Sequence, residues 1–216
     1  MAAYESRGQL SLSFLSTIEP IVVDLRVGVC SIAAIDLPIG LSLDGVRPVD
    51  ALARLRLGPR RSTFFPTPVR AALDATDFET ANAANRAASG KGLSIQAWNL
   101  VPKILEVDNL WHRSLLERLV EAHPEVSFAE MAGSPILSKK SSPNGADERS
   151  ALLSTHLCDG SADVLDQLIE AIPTGLHVDA IDALALLWTA RRVSMGDAVK
   201  LGGDLDALGR PMALHI

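Results

Sequence analysis

Several residue types and patterns are scarce in this sequence, and each scarcity excludes some classes of protein. Aromatic residues make up only 4% of the 216 residues, so the core has to be built from Leu, Ala, Val and Ile. The two cysteines, Cys30 and Cys158, are isolated and form no CxxC pair, which suits a reducing compartment. No apolar run approaches the roughly 20 residues of a membrane span, and the first residues contain no apolar signal segment. We therefore expect a cytoplasmic protein with no membrane partner.

The chain has enough apolar residues to fold around a substantial core. Hydrophobic residues make up 48% of the sequence and the mean hydropathy is +0.21, which excludes a disordered chain. Its length fits one large domain or two small ones. We favour a single domain over residues 1–216.

The stretch from Ile32 to Leu41 organises the prediction of a functional site. Small and β-branched apolar residues run into a single carboxylate, Asp36, and Pro38 and Gly40 then prevent the strand from continuing. A buried strand that presents one acid at its carboxyl end is how an open α/β sheet forms a ligand or metal site. The alternative is that Asp36 caps the turn through its own backbone amides.

Positive charge is concentrated in one region, although the chain carries a net charge of −6. Residues 47–70 contain six arginines and one acid, which permits a phosphate-facing patch on an acidic body, but a solvated helix and loop would show the same run. The loop 60–68 holds Phe64 and Phe65 between arginines and prolines. Its cations and hydroxyls suit a phosphate, and an exposed phenylalanine can stack on a base. The alternative is that both aromatics pin the loop to the core.

A second acid lies in an apolar segment further along the chain. Residues 119–123 predict a strand with Glu121 and His123 on one face, stopped by Pro124. A carboxylate inside an apolar strand needs a cation or hydrogen bonds to offset its desolvation. For His123 alone, a structural histidine with satisfied hydrogen bonds is the competing interpretation.

Helical periodicity accounts for much of the remaining sequence. The last helix, 178–193, places Asp179 and Asp182 on the face that it shares with apolar residues, although acids in a first turn also cap a helix. The other predicted elements are a strand at 8–15, helices at 48–57, 69–88, 124–132, 146–157 and 162–171, and a helix from Ser94 that Pro102 should kink or restart.

Taken in order along residues 8–195, these motifs resemble the predicted RNase H-like nuclease family, a widespread bacterial domain of unknown function. The resemblance rests on IDLPIGL, on Gly45, Arg47 and Asp50, on LGPRRSTFFPTPVRAAL, GKGLSIQAWNLVPKILEVD, EAHPEVSF and SKK, on Gly145, Glu148 and Arg149, and on DAIDALALLWTARR. It implies an α/β fold with a ribonuclease H-like mixed sheet flanked by helices, and acids at strand ends and on the last helix.

The resemblance also implies a site and its chemistry. Asp36, Glu121 and Asp182 would be catalytic and, with Asp179, would bind Mg²⁺ or Mn²⁺. Two such cations about 4 Å apart activate a water and stabilise the leaving oxygen of a phosphodiester. The partner would be nucleic acid or a nucleotide. The residues expected to bind this substrate are Arg47, Arg60, Arg61, Lys103, Lys139 and His123.

The N-terminal region departs from the family pattern. Members usually begin with a strand bearing an Asp-Gly and a Gly-Trp pair, which supplies the central strand and the first metal-binding Asp. This sequence starts at what looks like the following strand, so the fold is expected to be N-terminally shortened. Unpaired backbone groups in a sheet cost about 1–3 kcal/mol each, so another segment should fill the gap. The candidates are another chain, as in a homo-oligomer, or the tail 211–216.

Three functions fit these observations. The first is a metal-dependent nuclease that acts on structured or single-stranded nucleic acid. The second is a non-catalytic nucleotide or nucleic-acid binding module that has lost a metal ligand. The third is a phosphotransferase of the actin and sugar-kinase kind, which shares this sheet. The absence of a glycine-rich adenosine loop beyond Gly90-Lys91-Gly92 weighs against the third function.

Overall fold

The computed structural model describes residues 1–216 and has the predicted α/β class. Eight α-helices surround six strands, which form three separate two-stranded sheets. Several helices begin at Pro or at a Ser or Asp cap. Several end at Gly. The elements are β1 (Ala2–Ser6), β2 (Gln9–Ser13), α1 (Glu19–Val27), β3 (Ala33–Ile35), α2 (Pro48–Leu57), α3 (Phe78–Ser89), α4 (Ile95–Leu110), β4 (Leu119–Glu121), α5 (Pro124–Met131), α6 (Pro143–Leu157), α7 (Ala162–Glu170), α8 (His177–Met195), β5 (Lys200–Leu205) and β6 (Pro211–His215).

The parallel pair β3–β4 positions the candidate site. Ile35 lies opposite Glu121, and the amide of Ala122 donates a hydrogen bond to the Ile35 carbonyl at 2.9 Å. The carboxyl ends of parallel strands lie at the same edge of a sheet. Asp36 and His123 therefore leave the two strands on the same side, although His123 lies beyond β4 and precedes α5.

The last helix, α8, lies at the centre of the core. It packs against α5, α6, β1 and β3, and most of its small and aliphatic side chains are buried. This confirms the predicted helix 178–193. No single helix is both long and apolar enough to cross a membrane, and only α7 together with Thr174–Met195, bent by 115°, passes that test as a pair.

The N-terminal hairpin β1–β2 also lies on α8. The predicted strand 8–15 is present as β2, whereas β1 was not predicted. Arg7 and Gly8 join the two strands with φ of +51° and +77°, the left-handed conformation of a tight two-residue hairpin. Arg191 of α8 donates a hydrogen bond to Glu5 of β1 at 2.9 Å, and this contact ties the hairpin to the core helix.

The tail does not fill the expected gap in the sheet. Residues 211–215 form β6, which pairs antiparallel with β5 and lies beside β4 without joining its sheet. β1 and β3 therefore each keep one unpaired edge, and both strands pack against α8. The backbone groups of Ala34 point towards the unpaired side, because Ala33 and Ile35 direct theirs to β4.

Two helix predictions need correction. The predicted helix 69–88 is a 3-10 turn at Arg70–Ala72 followed by α3, because the Asp77 side chain accepts a hydrogen bond from the Thr80 amide at 2.8 Å and caps a new helix. The helix from Ser94 does not restart at the internal proline, since α4 is continuous through Pro102.

Candidate functional site

One cavity collects most of the predicted site residues. It has a volume of about 550 Å³ and lies where the carboxyl ends of β3 and β4 meet the loop 60–67, the loop 139–141 and α8. The predicted residues that line it are Asp36, Arg60, Glu121, His123, Lys139 and Asp182. The predicted residues that do not line it are Arg47, Arg61, Lys103 and Asp179.

Two carboxylates, Asp36 and Asp182, reach this cavity from distant parts of the sequence. Asp36 is exposed at the end of β3, and no protein cation lies within ion-pair distance of its carboxylate. Asp182 is half-buried on α8. Burial raises the pKa of Asp182 above its usual value, and the charges of Asp36 and Glu125 raise it further. The two aspartates are therefore close enough to interact electrostatically.

Lys140 is the protein cation that contacts Asp182. Its Nζ donates a hydrogen bond to Oδ2 of Asp182 at 2.6 Å, whereas the buried Oδ1 has no partner. Burial alone would lower the pKa of Lys140, but the carboxylates of Asp182, Glu125 and Asp36 together raise it. The ammonium group therefore stays charged among three acids. The SKK motif contains both Lys139 and Lys140, but the predicted set included only the first.

The position of Glu121 does not suit the metal-binding and catalytic roles expected of it. The residue is 4% exposed, and its two oxygens accept hydrogen bonds from Arg47 at 2.6 and 2.9 Å and from the Ile39 amide at 3.1 Å. These bonds satisfy the buried carboxylate, as an acid inside an apolar strand requires. Glu121 therefore holds the turn after Asp36 in place and has no oxygen without a protein partner.

Arg47 is likewise placed for structure and not for the expected contact with phosphate. It is 1% exposed and donates hydrogen bonds to Asp50 at 2.7 and 2.9 Å and to the Gly40 carbonyl at 2.8 Å, besides those to Glu121. Burial alone would lower the pKa of Arg47, but the two carboxylates raise it, so the guanidinium stays charged. Asp50 also accepts a hydrogen bond from the Thr67 amide at 2.7 Å. This buried cluster joins the turn after β3 to the loop that lines the cavity.

The other three predicted residues outside the cavity are exposed. Arg61 lies on the loop beside Arg60, and Lys103 lies on the outer side of α4. Asp179 lies in the first turn of α8, one turn before Asp182, and only the second acid of this pair reaches the cavity. The expected grouping of both aspartates in one site is therefore not present.

A second buried ion pair positions the loop that carries the lysines, and the sequence interpretation missed it. Arg149 has no exposed surface and donates to both oxygens of Glu125 at 3.1 and 2.7 Å, and to the Gly145 carbonyl at 2.8 Å. A Cβ on Gly145 would lie 2.0 Å from the carbonyl oxygen of Lys139. The resemblance motifs contain Gly145 and Arg149, but no spacing indicated that Glu125 is their partner.

Three residues that line the cavity have a buried polar atom without a partner. These atoms are Oδ1 of Asp182, Nδ1 of His123 and Nε of Arg60. The His123 ring is held against Phe64, with 5.0 Å between ring centroids. Buried polar groups are usually satisfied, so unpaired ones in a cavity call for a water, an ion or a ligand. The cavity thus offers an anionic, an imidazole and a cationic contact to such a group.

Comparison with known protein families shows which family this chain belongs to. A family model described as "Protein of unknown function (DUF429)" matches residues 1–207. The chain belongs to the DUF429 family. No curated protein and no solved structure matches it significantly. The DUF429 description gives no activity, so the function has to be argued from the cavity itself.

Two carboxylates in this DUF429 cavity are candidate donors to a divalent cation. No group of three or more His, Cys, Asp or Glu side chains is arranged to hold a metal ion. Asp36 and the unpaired oxygen of Asp182 remain as donors. Mg²⁺ is commonly bound through one or two carboxylates, with water and substrate phosphate completing its shell. These two carboxylates are donors of the kind that Mg²⁺ or Mn²⁺ takes, and they are fewer than the four ligands that the family resemblance implies for a pair of ions.

Proposed function

We propose that this protein is a metal-dependent nuclease with a ribonuclease H-like fold, which hydrolyses phosphodiester bonds of nucleic acid with one Mg²⁺ or Mn²⁺ ion. The observation that carries the proposal is the convergence of Asp36 and Asp182 on one cavity that also contains Arg60, Lys139 and Lys140. Carboxylates are the ligands that these cations prefer, and basic side chains neutralise phosphate oxygens. Both requirements of phosphoryl chemistry thus come together in one place.

Each cavity residue has a role that its position supports. Asp36 and Asp182 hold the cation, which supplies Lewis-acid polarisation of the phosphoryl group when bound. Arg60 and Lys139 neutralise the non-bridging phosphate oxygens. His123, whose Nδ1 has no protein partner, hydrogen-bonds to the ligand.

Lys140 has a separate role, because it compensates the acids when the site is empty. Its ammonium group pairs with Asp182, and its side chain is 45% exposed and therefore free to turn. Burial disfavours the charged form of Asp182, and the ammonium group of Lys140 opposes this effect by lowering the pKa of Asp182. If Asp182 held a cation, the exposed ammonium group of Lys140 would be available to a phosphate oxygen.

A non-catalytic nucleotide or nucleic-acid binding module is the second candidate. Two of the three acids expected to be catalytic already have protein cations as partners, Glu121 with Arg47 and Asp182 with Lys140. A module of this kind would bind phosphate at the basic residues and would show no metal-dependent turnover. This candidate differs from the nuclease in its chemistry and not in its ligand.

The test is incubation of the purified protein with single-stranded and structured DNA and RNA, in Mn²⁺, in Mg²⁺ and in EDTA. We expect cleavage only with a divalent cation. Asp36→Asn and Asp182→Asn should each reduce the rate about 100-fold or more, because each removes a charge that acts on the developing transition state. Asp179→Asn is the matched control, since this exposed acid lies on the same helix outside the cavity and should keep the full rate.

The outcomes separate the two candidates. Binding of the same nucleic acids without cleavage in any cation would support the binding module and reject the nuclease. Cleavage that persists at the same rate in Asp36→Asn and Asp182→Asn would mean that the activity belongs to other residues. If the wild type neither binds nor cleaves nucleic acid, the nuclease is rejected and the binding module is restricted to free nucleotides.

A further inference from the structure

Phe65 is an exposed aromatic residue in the wall of the candidate cavity. It is 43% exposed, whereas the neighbouring Phe64 is 5% exposed and packs into a core cluster. The alternative that both phenylalanines pin the loop to the core therefore holds for Phe64 alone. Exposure of a large apolar side chain to water is unfavourable in free energy, and a ligand that covers the side chain removes this unfavourable term.

The backbone on both sides of the exposed ring is held firmly in place. Arg54 donates hydrogen bonds to the carbonyls of Arg61 at 2.8 Å and Phe64 at 2.7 Å. The Thr67 amide donates to Asp50, which belongs to the buried cluster around Arg47. A ring carried on such a loop is oriented before a ligand arrives, so little conformational freedom is lost on binding.

The same loop brings a cation to the cavity that the aromatic ring lines. Arg60 lines the cavity, and its buried Nε has no protein partner. Leu100 of α4 and Pro38 line the cavity as well and add apolar surface to it. An aromatic face next to a phosphate-binding cation is the arrangement that recognises unpaired nucleotides, because each base has a π-face and each linkage has a negative charge.

We propose that Phe65 stacks on one unpaired nucleobase of a ligand whose phosphate binds at Arg60. This proposal rests on the proposed function and names its substrate class, which is a nucleotide or a single strand and not an uninterrupted duplex. A base inside a duplex is stacked on its neighbours and does not present a free face to a side chain. The base adds affinity to a site that otherwise recognises phosphate alone.

The experiment compares two short, fluorescently labelled single strands of the same length, one with bases and one abasic. Phosphorothioate linkages slow Mg²⁺-dependent cleavage, because Mg²⁺ binds sulfur poorly, and fluorescence anisotropy in Mg²⁺ gives the affinities. We expect Phe65→Ala to weaken binding of the base-containing strand about tenfold or more and to leave binding of the abasic strand unchanged. Phe65→Trp should retain the tight binding because indole also stacks. Phe14→Ala is the matched control, since Phe14 is 72% exposed and lies outside the cavity.

Two further ligands identify the source of the base. Competition by a mononucleotide, with no additional gain from a strand, assigns the site to nucleotides, whereas a preference for the strand assigns it to single-stranded nucleic acid. Tighter binding of a blunt duplex than of either ligand would overturn the proposal.

The results also separate this proposal from the proposed function. Equal affinity of the wild type for the abasic and base-containing strands would overturn base stacking and leave the phosphate site intact. An equal loss for both strands in Phe65→Ala, with Phe65→Trp also impaired, would overturn it too and assign the ring to loop structure. A base-dependent affinity that is lost in Phe65→Ala, without cleavage of unmodified strands, would support base stacking and reject the nuclease. Binding of neither strand would overturn both.

Discussion

Replacement of Arg47 by methionine should lower the free energy of unfolding by about 3–5 kcal/mol. Arg47 is 1% exposed and is the shared partner of two buried carboxylates, Glu121 and Asp50. Methionine fills a similar volume but leaves both acids without a cation, and removal of one partner from a buried ion pair leaves an uncompensated charge. Because domains are stable by only about 5–15 kcal/mol, this loss is a large share of the total.

Urea unfolding with linear extrapolation measures this effect. The double variant Arg47→Met with Glu121→Gln should lose less than the sum of the two single variants, because the glutamate no longer carries a charge that needs a partner. Arg61→Met is the matched control at an exposed position and should change the stability by no more than about 0.5 kcal/mol. A loss below about 1 kcal/mol in Arg47→Met, combined with weaker nucleic-acid binding, would refute this account and make Arg47 a ligand contact.

Two other perturbations concern the loop 139–141, which carries Lys139 and Lys140. Cation binding requires the charged form of Asp182. Burial raises the pKa of Asp182, and the positive charge of Lys140 opposes this shift. The affinity for Mn²⁺ should therefore fall as the pH is lowered through the raised pKa of Asp182. Lys140→Met should move the midpoint of Mn²⁺ binding, measured by calorimetry across pH, to higher pH; a move to lower pH would contradict the assigned contact. Gly145→Ala would place a Cβ 2.0 Å from the Lys139 carbonyl oxygen and displace the loop, so nucleic-acid cleavage should fall about 100-fold. Gly175→Ala, which has no neighbouring atom within 4 Å, should leave cleavage unchanged, and equal rates in both glycine variants would reject the role of the loop.

Local sequence patterns were sufficient to predict the elements that carry the two cavity aspartates. Asp36 follows an apolar strand that Pro38 and Gly40 end, and both signals act within a few residues. The helix of Asp182 has a continuous apolar composition that requires burial, and α8 is indeed the core helix. The structure then brings these two elements to one cavity.

Pairings between distant charges could not be predicted from the sequence. Arg47 and Glu121 are 74 residues apart, and a run of arginines looks the same whether its members face solvent or a buried acid. Arg149 and Glu125 form a second such pair across helices. A sequence shows which side chains need a partner, but only the fold determines which partner each one meets. For this reason Arg47 and Glu121 were expected at a ligand and lie instead in a structural cluster.

Strand β1 was missed for a different reason. Residues 2–6 are too short and too mixed in polarity to give a clear period, and their pairing depends on the left-handed turn at Arg7 and Gly8. Asp179 and Asp182 also show what helical spacing cannot predict. The spacing placed both on one face of α8, but only Asp182 lines the cavity. The position of a cavity along a helix depends on the neighbouring elements.

Titration of the metal-free protein with Mn²⁺, followed by electron paramagnetic resonance of the free ion, measures whether Asp36 and Asp182 bind one cation together. We expect one bound Mn²⁺ per chain, loss of that binding in both Asp36→Asn and Asp182→Asn, and full binding in Asp179→Asn. Two bound ions per chain, or one ion whose affinity is the same in Asp36→Asn and Asp182→Asn as in the wild type, would contradict it.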